Sequence, residues 1–359
     1  MDRAKRLIDE AGTDAVVIMN GGTPFVDPVF WYVTEQRSGS FEGTIAVISK
    51  DGTLDVIVNR LEELSAKRGK GTIHVWEKRE ERDALLRDLL KDCKKVGVNA
   101  GSVTYAGARY LRKTAKVKMT DVSKAIRSTI SVKDDSEIRS IRYACRTASK
   151  VAEQIPEFLT EGMTEKEAAA EIDNRMRILG AEGNAFETIA AFGKNSAEPH
   201  YRPGGRKLKK GDVALFDFGC KYEMYCSDLT RTVFFGEPDE RLRRAYETVQ
   251  KAKAAGMGAM TDGAPAKKAD MAARKIIDSS EFKGMFIHSF GHGIGMNVHE
   301  ATSVSHLSKD ILKENMVVSA EPGIYIPGVG GIRIEDTVII KKDGCEPLTK
   351  FDQRLTVVR

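Results

Sequence analysis

Two stretches of this chain place carboxylates where a folding chain tolerates them least. Asp217 lies in the run Val213-Ala-Leu-Phe-Asp-Phe-Gly219, and Glu335 closes the run Gly331-Ile-Arg-Ile-Glu335. Both runs are rich in the residues that favour half-buried strands. An ionised carboxylate in such a strand carries a large desolvation cost unless it is paired or bound to a cation. Each run also leads across a turn to a second acid. In Gly211–Thr232 the turn is expected near Lys221 to Glu223, and folding about the midpoint of Tyr222 and Glu223 sets Asp217 opposite Asp228. In Glu321–Thr337 the turn is marked by Pro327-Gly328 and Gly330-Gly331, and folding about Gly328 sets Glu321 opposite Glu335. Opposed residues lie about 4.5–5.5 Å apart, so each pair repels itself unless a cation lies between. Four such carboxylates in one site carry a charge of about −4, which two divalent ions neutralise.

The histidines point the same way. The chain has six, and three of them (His288, His292 and His299) fall in one glycine-rich segment. Gly291, Gly293 and Gly295 let backbone approach a ligand closely and argue against a regular helix. The glycine spacing is not that of a dinucleotide loop. His-Glu-x-x-His is absent, which excludes the mononuclear zincins, and no EF-hand spacing is present. A carboxylate-rich set with one imidazole suits Mn²⁺, Co²⁺, Fe²⁺ or Zn²⁺. His200 lies in a loop before the first acidic hairpin, whereas His74 and His306 lack comparable context and read as structural.

The remaining pattern divides the chain in two. Over residues 1–128, helical spacing alternates with short apolar runs at 14–19, 43–49, 53–58 and 95–99, with a hairpin signal at Asp51-Gly52. This predicts an α/β domain with a mixed sheet. Residues 129–359 mix helices with paired strands, an α+β domain. Its first long helix opens at Lys133–Ser136 and is expected to kink or end at Pro156. Thr164 and Glu167 make a capping box for the next helix. Each half of this second part contains helices and one acidic hairpin, a loose repeat. The charged N-terminus shows no secretory signal, no apolar run reaches membrane length, and five irregularly spaced cysteines suit a reducing cytoplasm. The net charge of +5 is spread among acidic residues, so neither a nucleic-acid surface nor a membrane surface is implied.

Taken together, Asp217-Phe-Gly219, Ser227-Asp-Leu-Thr-Arg-Thr232, Gly291-His-Gly-Ile-Gly295, Val298-His-Glu300, Glu321-Pro-Gly323 and Ile332-Arg-Ile-Glu-Asp336 resemble the dinuclear metallopeptidases of the pita-bread fold. These are the methionine aminopeptidases, Xaa-Pro aminopeptidases and prolidases. The likeness covers about residues 135–359. The N-terminal α/β domain resembles the creatinase/prolidase type, which methionine aminopeptidases lack, and so favours the proline-specific branch.

The resemblance implies a ligand set of Asp217, Asp228, His292, Glu321 and Glu335, with Asp228 and Glu335 bridging two metals. Mn²⁺ or Co²⁺ is expected, with Zn²⁺ or Fe²⁺ as alternatives. It implies that a hydroxide between the metals attacks an Xaa–Pro bond and that Glu321 shuttles the proton. His200 and His299 would bind the scissile carbonyl, and His288 would line the proline pocket. Arg333 shares the Glu335 face by strand parity and is expected to orient a ligand carboxylate or bind substrate. The substrates would be short peptides with proline second, and the protein a cytoplasmic homodimer. Two departures stand out. Thr302 replaces a proline common in relatives, and Ser303 stands where prolidases often carry the arginine that grips a dipeptide carboxylate. A methionine aminopeptidase-like enzyme and a non-catalytic binding protein are the alternative readings.

Overall fold

The computed structural model describes residues 2–350 and 354–358. The chain divides into two compact units, Met1–Ile130 and Ser131–Arg359.

The first unit is built on a six-stranded sheet in the order Thr72–Trp76, Leu54–Asn59, Ile45–Ser49, Ala15–Met19, Lys95–Val98, Lys118–Asp121. Ile45–Ser49 pairs antiparallel with both Ala15–Met19 and Leu54–Asn59, and the other three pairings are parallel, so the sheet is mixed. Ala15, Val17, Ile45, Val47, Ile57, Val96 and Val98 bury one face of it with Leu86, Leu90 and Leu111 from the helices. Three elements carry too weak a pattern to be anticipated: the helices Pro28–Thr34 and Ser123–Ser131 and the strand Thr72–Trp76. The segment 60–68, which reads as one helix, is a turn of 3₁₀ helix followed by a single α-turn, Glu63–Ala66.

The second unit opens with the helix Asp135–Phe158. Asp134 accepts from the backbone of Ser136 and Glu137, while Glu137 accepts from Asp134 N, a complete capping box. Pro156 lies inside this helix, two residues before its end at Phe158, and costs it one hydrogen bond, to the carbonyl four residues back. A four-stranded sheet orders Val357–Val358, Leu229–Phe235, Asp212–Phe218 and Ile189–Phe192. A five-stranded sheet orders Glu300–Val304, Gly291–Gly293, Val317–Ala320, Asp336–Lys341 and Gly344–Pro347. Two small hairpin sheets, one of them Gly323–Ile326 with Gly330–Arg333, complete the strands. Two apolar cores flank them. One joins the helices Asp135–Phe158 and Glu165–Ile178 to Phe192, Phe216 and Phe218. The other joins the helices Glu240–Met257 and Lys267–Asp278 to Phe290, Val318 and Val338. A third cluster joins Ile138, Ile141 and Cys145 of the first helix to Cys226, Ile294 and Val317.

The first hairpin corrects the expected register. Asp217 pairs with Thr230, and Asp228 lies two residues earlier on the partner strand. The turn is centred one residue later than expected, on Glu223 and Met224, with Tyr222 opposite Tyr225. Both central residues have positive φ, 48° and 72°. Neither is the glycine or asparagine that usually marks such a turn. Instead the Glu223 carboxylate accepts from Ser140 Oγ at 2.7 Å, and Met224 N donates to Glu182 at 3.3 Å. Asp217 and Asp228 still share a face, as diagonal neighbours. In the second hairpin Gly323 pairs with Arg333 and Ile326 with Gly330; the same register extended by one turn of the pleat sets Glu321 against Glu335.

Candidate metal centre

The two hairpins and the glycine-rich segment meet in a cavity of about 430 Å³, lined among others by His200, Asp217, Asp228, His288, His292, His299, Glu321, Arg333 and Glu335. That volume is typical of a small-ligand pocket. Every site residue expected from the sequence borders it.

Each acid is positioned by backbone and by a neighbour. Asp217, near the end of its strand, accepts from Arg333 Nη2 at 2.6 Å. Its other oxygen is buried with no hydrogen-bond partner among the described residues. The N–H of Asp228 donates to Thr337 Oγ1, and that hydroxyl donates back to the Asp228 carbonyl at 2.7 Å, fixing the backbone that aims its carboxylate. Glu335 is 1% exposed. Its Oε2 accepts from Thr230 Oγ1 at 2.6 Å, and its Oε1 has no partner. Glu321 Oε1 accepts from Ser319 Oγ at 3.1 Å, and Ser319 Oγ also receives His292 N. His292 uses Nδ1 toward the Gly293 carbonyl at 3.2 Å and presents Nε2 to Glu321 at 3.2 Å and Asp228 at 3.5 Å. This is the usual arrangement of a ligating imidazole, one nitrogen held by the backbone and the other turned toward the acids of the site. A bulge between His292 and Gly293 re-aims the ring. Gly291 is obligatory, since a Cβ there would lie 2.1 Å from the Ser319 carbonyl oxygen.

The electrostatics of the site favour a cation. Burial, reinforced by the other carboxylates, raises the pKa of Asp228 and Glu335 well above normal. Asp217 is raised by burial too, against the pull of Arg333. For Glu321, burial alone would raise the pKa, but the hydrogen bond and charge of His292 bring it down to about 2. Burial would lower His292, yet the same partner lifts it to about 9. One ligand atom each from Asp228, His292 and Glu335 lies within 4.8 Å of the others. The unpartnered oxygens of Asp217 and Glu335, the exposed face of His292 and this clustering fit divalent metal.

Several contributors were not legible as site residues. Thr230 bridges Glu335 and Arg333, donating to the first and accepting from Arg333 Nε at 3.0 Å. Tyr325 OH accepts from Arg333 Nη1 at 2.8 Å and donates to His288 Nε2 at 2.8 Å. His288 Nδ1 faces the Ser289 carbonyl at 2.8 Å, so both of its nitrogens are engaged. Behind Glu335, Arg231 donates to the Glu335 carbonyl, and Arg231 and Lys253 both donate to Asp336. Thr230 and Arg231 sit inside the string around Asp228, and that proximity is the one signal they gave. Tyr325 and Lys253 gave none, because their partners lie on other elements. His299 stacks beside His292 with ring centres 4.1 Å apart. Cys220 and Cys226 are buried and donate weakly to the Ala144 and Met296 carbonyls, consistent with packing.

The chain is similar to known proteins along its length. The model of metallopeptidase family M24 matches residues 139–342, and that of the creatinase/prolidase N-terminal domain matches residues 1–129. An Xaa-Pro dipeptidase of Pyrococcus furiosus is 35% identical over 357 residues, covering 99% of both chains. The crystal structure of an X-Pro aminopeptidase from Thermotoga maritima superposes with a TM-score of 0.92 at 33% identity, covering 99% of this chain and 100% of that one. A prolidase from Pyrococcus horikoshii gives 0.90 at 34% identity, with 99% and 100% covered. With a creatinase-type N-terminal domain followed in sequence by a pita-bread catalytic unit, the chain belongs to metallopeptidase family M24 and is a hydrolase of the metal-dependent kind.

Proposed function

We propose that this protein hydrolyses Xaa–Pro bonds, releasing the residue that precedes proline. The observation that carries the reading is the convergence of Asp217, Asp228, His292, Glu321 and Glu335 on one cavity, with two buried carboxylate oxygens lacking any partner. Full-length relatives named Xaa-Pro dipeptidase and X-Pro aminopeptidase support it. The five residues would hold two divalent ions, with Asp228 and Glu335 shared and Mn²⁺ or Co²⁺ preferred. When bound, such a pair supplies Lewis acidity and acidifies water at neutral pH.

The chain's own groups do the rest. Glu321 takes a proton from the attacking water and returns it to the proline nitrogen as that bond breaks. The Xaa–Pro amide has no N–H, so orientation must come from the α-amine and the ring rather than from a backbone hydrogen bond. His299 and His200 donate to the scissile carbonyl as its oxygen gains charge, a contribution of about 3–4 kcal/mol per donor in comparable sites. His288, with both nitrogens committed to Ser289 and Tyr325, acts as a fixed wall of the proline pocket. Arg333 orients Asp217 and does not reach for substrate, because its donors serve Asp217, Thr230 and Tyr325.

That commitment also bears on substrate length. Arg333 is the one guanidinium among the residues lining the cavity, and Ser303 offers no charge to a terminal carboxylate. This favours an aminopeptidase that accepts longer peptides over a strict dipeptidase. We place the enzyme in the cytoplasm, a reading that its five free cysteines support, and take it as a homodimer, as the family resemblance implies. The test is turnover of Gly-Pro against Gly-Pro-Pro with added Mn²⁺ or Co²⁺. Cleavage of the tripeptide at least as fast as the dipeptide is expected. Cleavage of neither by protein carrying two ions would overturn the proline assignment. Asp228→Ala should abolish two-ion binding, and unchanged metal stoichiometry would refute its bridging role.

A further inference from the structure

Glu300 borders the same cavity, directly after His299, yet its carboxylate serves the fold and not the metal centre. Its Oε1 accepts from Met296 N at 3.0 Å, and its Oε2 accepts from Lys133 Nζ at 2.6 Å. Side-chain exposure is 6% for Glu300 and 1% for Lys133. The backbone of Glu300 pairs with Gly293, so residues 294–299 form a closed loop and the Glu300 side chain reaches back inside it. Gly295 makes room for this: a Cβ there would lie 2.0 Å from Glu300 Oε1. The loop is tied on its far side by Cys226 N, which donates to the Gly295 carbonyl at 2.7 Å. Lys133 is itself fixed, its N–H donating to the Asn315 carbonyl at 3.0 Å.

A buried ion pair is poor evidence for stability, since apolar residues of similar size often serve as well or better. Its better-attested use is to specify one arrangement among several. Here the arrangement is the loop that delivers His299. A bare carboxylate at this position would also compete for cations and for the peptide α-amine, and the Lys133 ammonium neutralises it. We infer that Glu300 and Lys133 are positioning residues for His299. Glu300 holds the 294–299 loop closed and Lys133 holds Glu300 out of the chemistry. The inference rests on the reading above that His299 acts on the scissile carbonyl.

A double-mutant cycle tests it. In fully metal-loaded protein, Glu300→Ala should lower kcat on the order of 10–100-fold, the cost of a catalytic group displaced by about 1 Å, with KM changed less than kcat. In a His299→Ala background the same substitution should cost almost nothing further. Hydrogen exchange should show faster deuterium uptake over residues 295–299, while two ions remain bound. Additive effects in the cycle, or unchanged uptake, would overturn the inference. Should Glu300→Ala fail to fold, the neutral pair Lys133→Met with Glu300→Gln keeps an oxygen for Met296 N. It should retain loop protection and most of kcat, and loss of protection would count against the clamp. If His299→Ala alone leaves kcat/KM intact, the reading of His299 fails, while the exchange result still judges the clamp.

Discussion

At the scale of the residue, Arg333 shows how much is lost when a side chain is read only along its own strand. Parity places it on the Glu335 face, which is right, but its strong partner is Asp217 on the other hairpin, 2.6 Å away. Alternation fixes faces and is silent about which neighbouring element a face meets. The consequence is measurable. Arg333 is 2% exposed, and Arg333→Met would strand a buried carboxylate, for which we expect a loss of about 3–5 kcal/mol in urea unfolding of the metal-free protein. Arg333→Lys should recover only part, because one ammonium cannot reproduce a fork that serves Asp217, Thr230 and Tyr325 together. A loss of under 1 kcal/mol for Arg333→Met would mean that Asp217 is held by something else. The five acidic and imidazole residues at the cavity were legible because carboxylates in apolar strands and histidines among glycines are rare combinations. In sequence Tyr325 resembles an ordinary strand residue and Lys253 a solvent-facing helix residue, and both join the site's surroundings only through the contacts of folding.

At the scale of the element, the two acidic hairpins behave differently as sequence signals. The second carries Pro327-Gly328 and Gly330-Gly331, and its register follows from them. The first turns on Glu223 and Met224, whose left-handed backbone is stabilised from outside by Ser140 and Glu182. No local rule locates such a turn, so the expected register was displaced. The strands Glu300–Val304, Val317–Ala320 and Gly344–Pro347 were missed because each is short and borrows its order from a sheet assembled across the chain. Gly219 marks the tightest crossing in the first hairpin, where a Cβ would lie 1.9 Å from the Ser227 carbonyl oxygen. Gly219→Ala must therefore push the strands apart between Asp217 and Asp228. We expect a loss of about 1–3 kcal/mol together with fewer than two bound ions by metal analysis. Full metal content in a destabilised variant would show that the hairpin deforms away from the site instead.

At the scale of the whole molecule, the metal-free centre makes stability depend on pH in an unusual sense. Asp228 and Glu335 bind protons more tightly folded than unfolded, so the stability they contribute is present below their ordinary carboxylate range and lost as pH rises through their elevated values. His292 adds to this, its contribution full below 6.5 and lost as pH rises through about 9. Glu321 acts oppositely, but its contribution disappears only as pH falls toward about 2. Chelator-treated protein should therefore lose melting temperature between pH 6.5 and 9. Metal-loaded protein should not, because the ions replace the protons. Calorimetry in buffers of different ionisation enthalpy should register proton release on loading, and a melting profile independent of both pH and metal would contradict this picture. One consequence concerns synthesis. Asp217 and Asp228 arrive on one hairpin, Glu321 and Glu335 on another far later in the chain, and His292 between them. A nascent chain that has made only the first hairpin holds two mutually repelling acids and lacks the other three residues of the expected ligand set. The expected ligand set is thus complete only when nearly the last strands are in place, and it joins the early half of the catalytic unit to the late half.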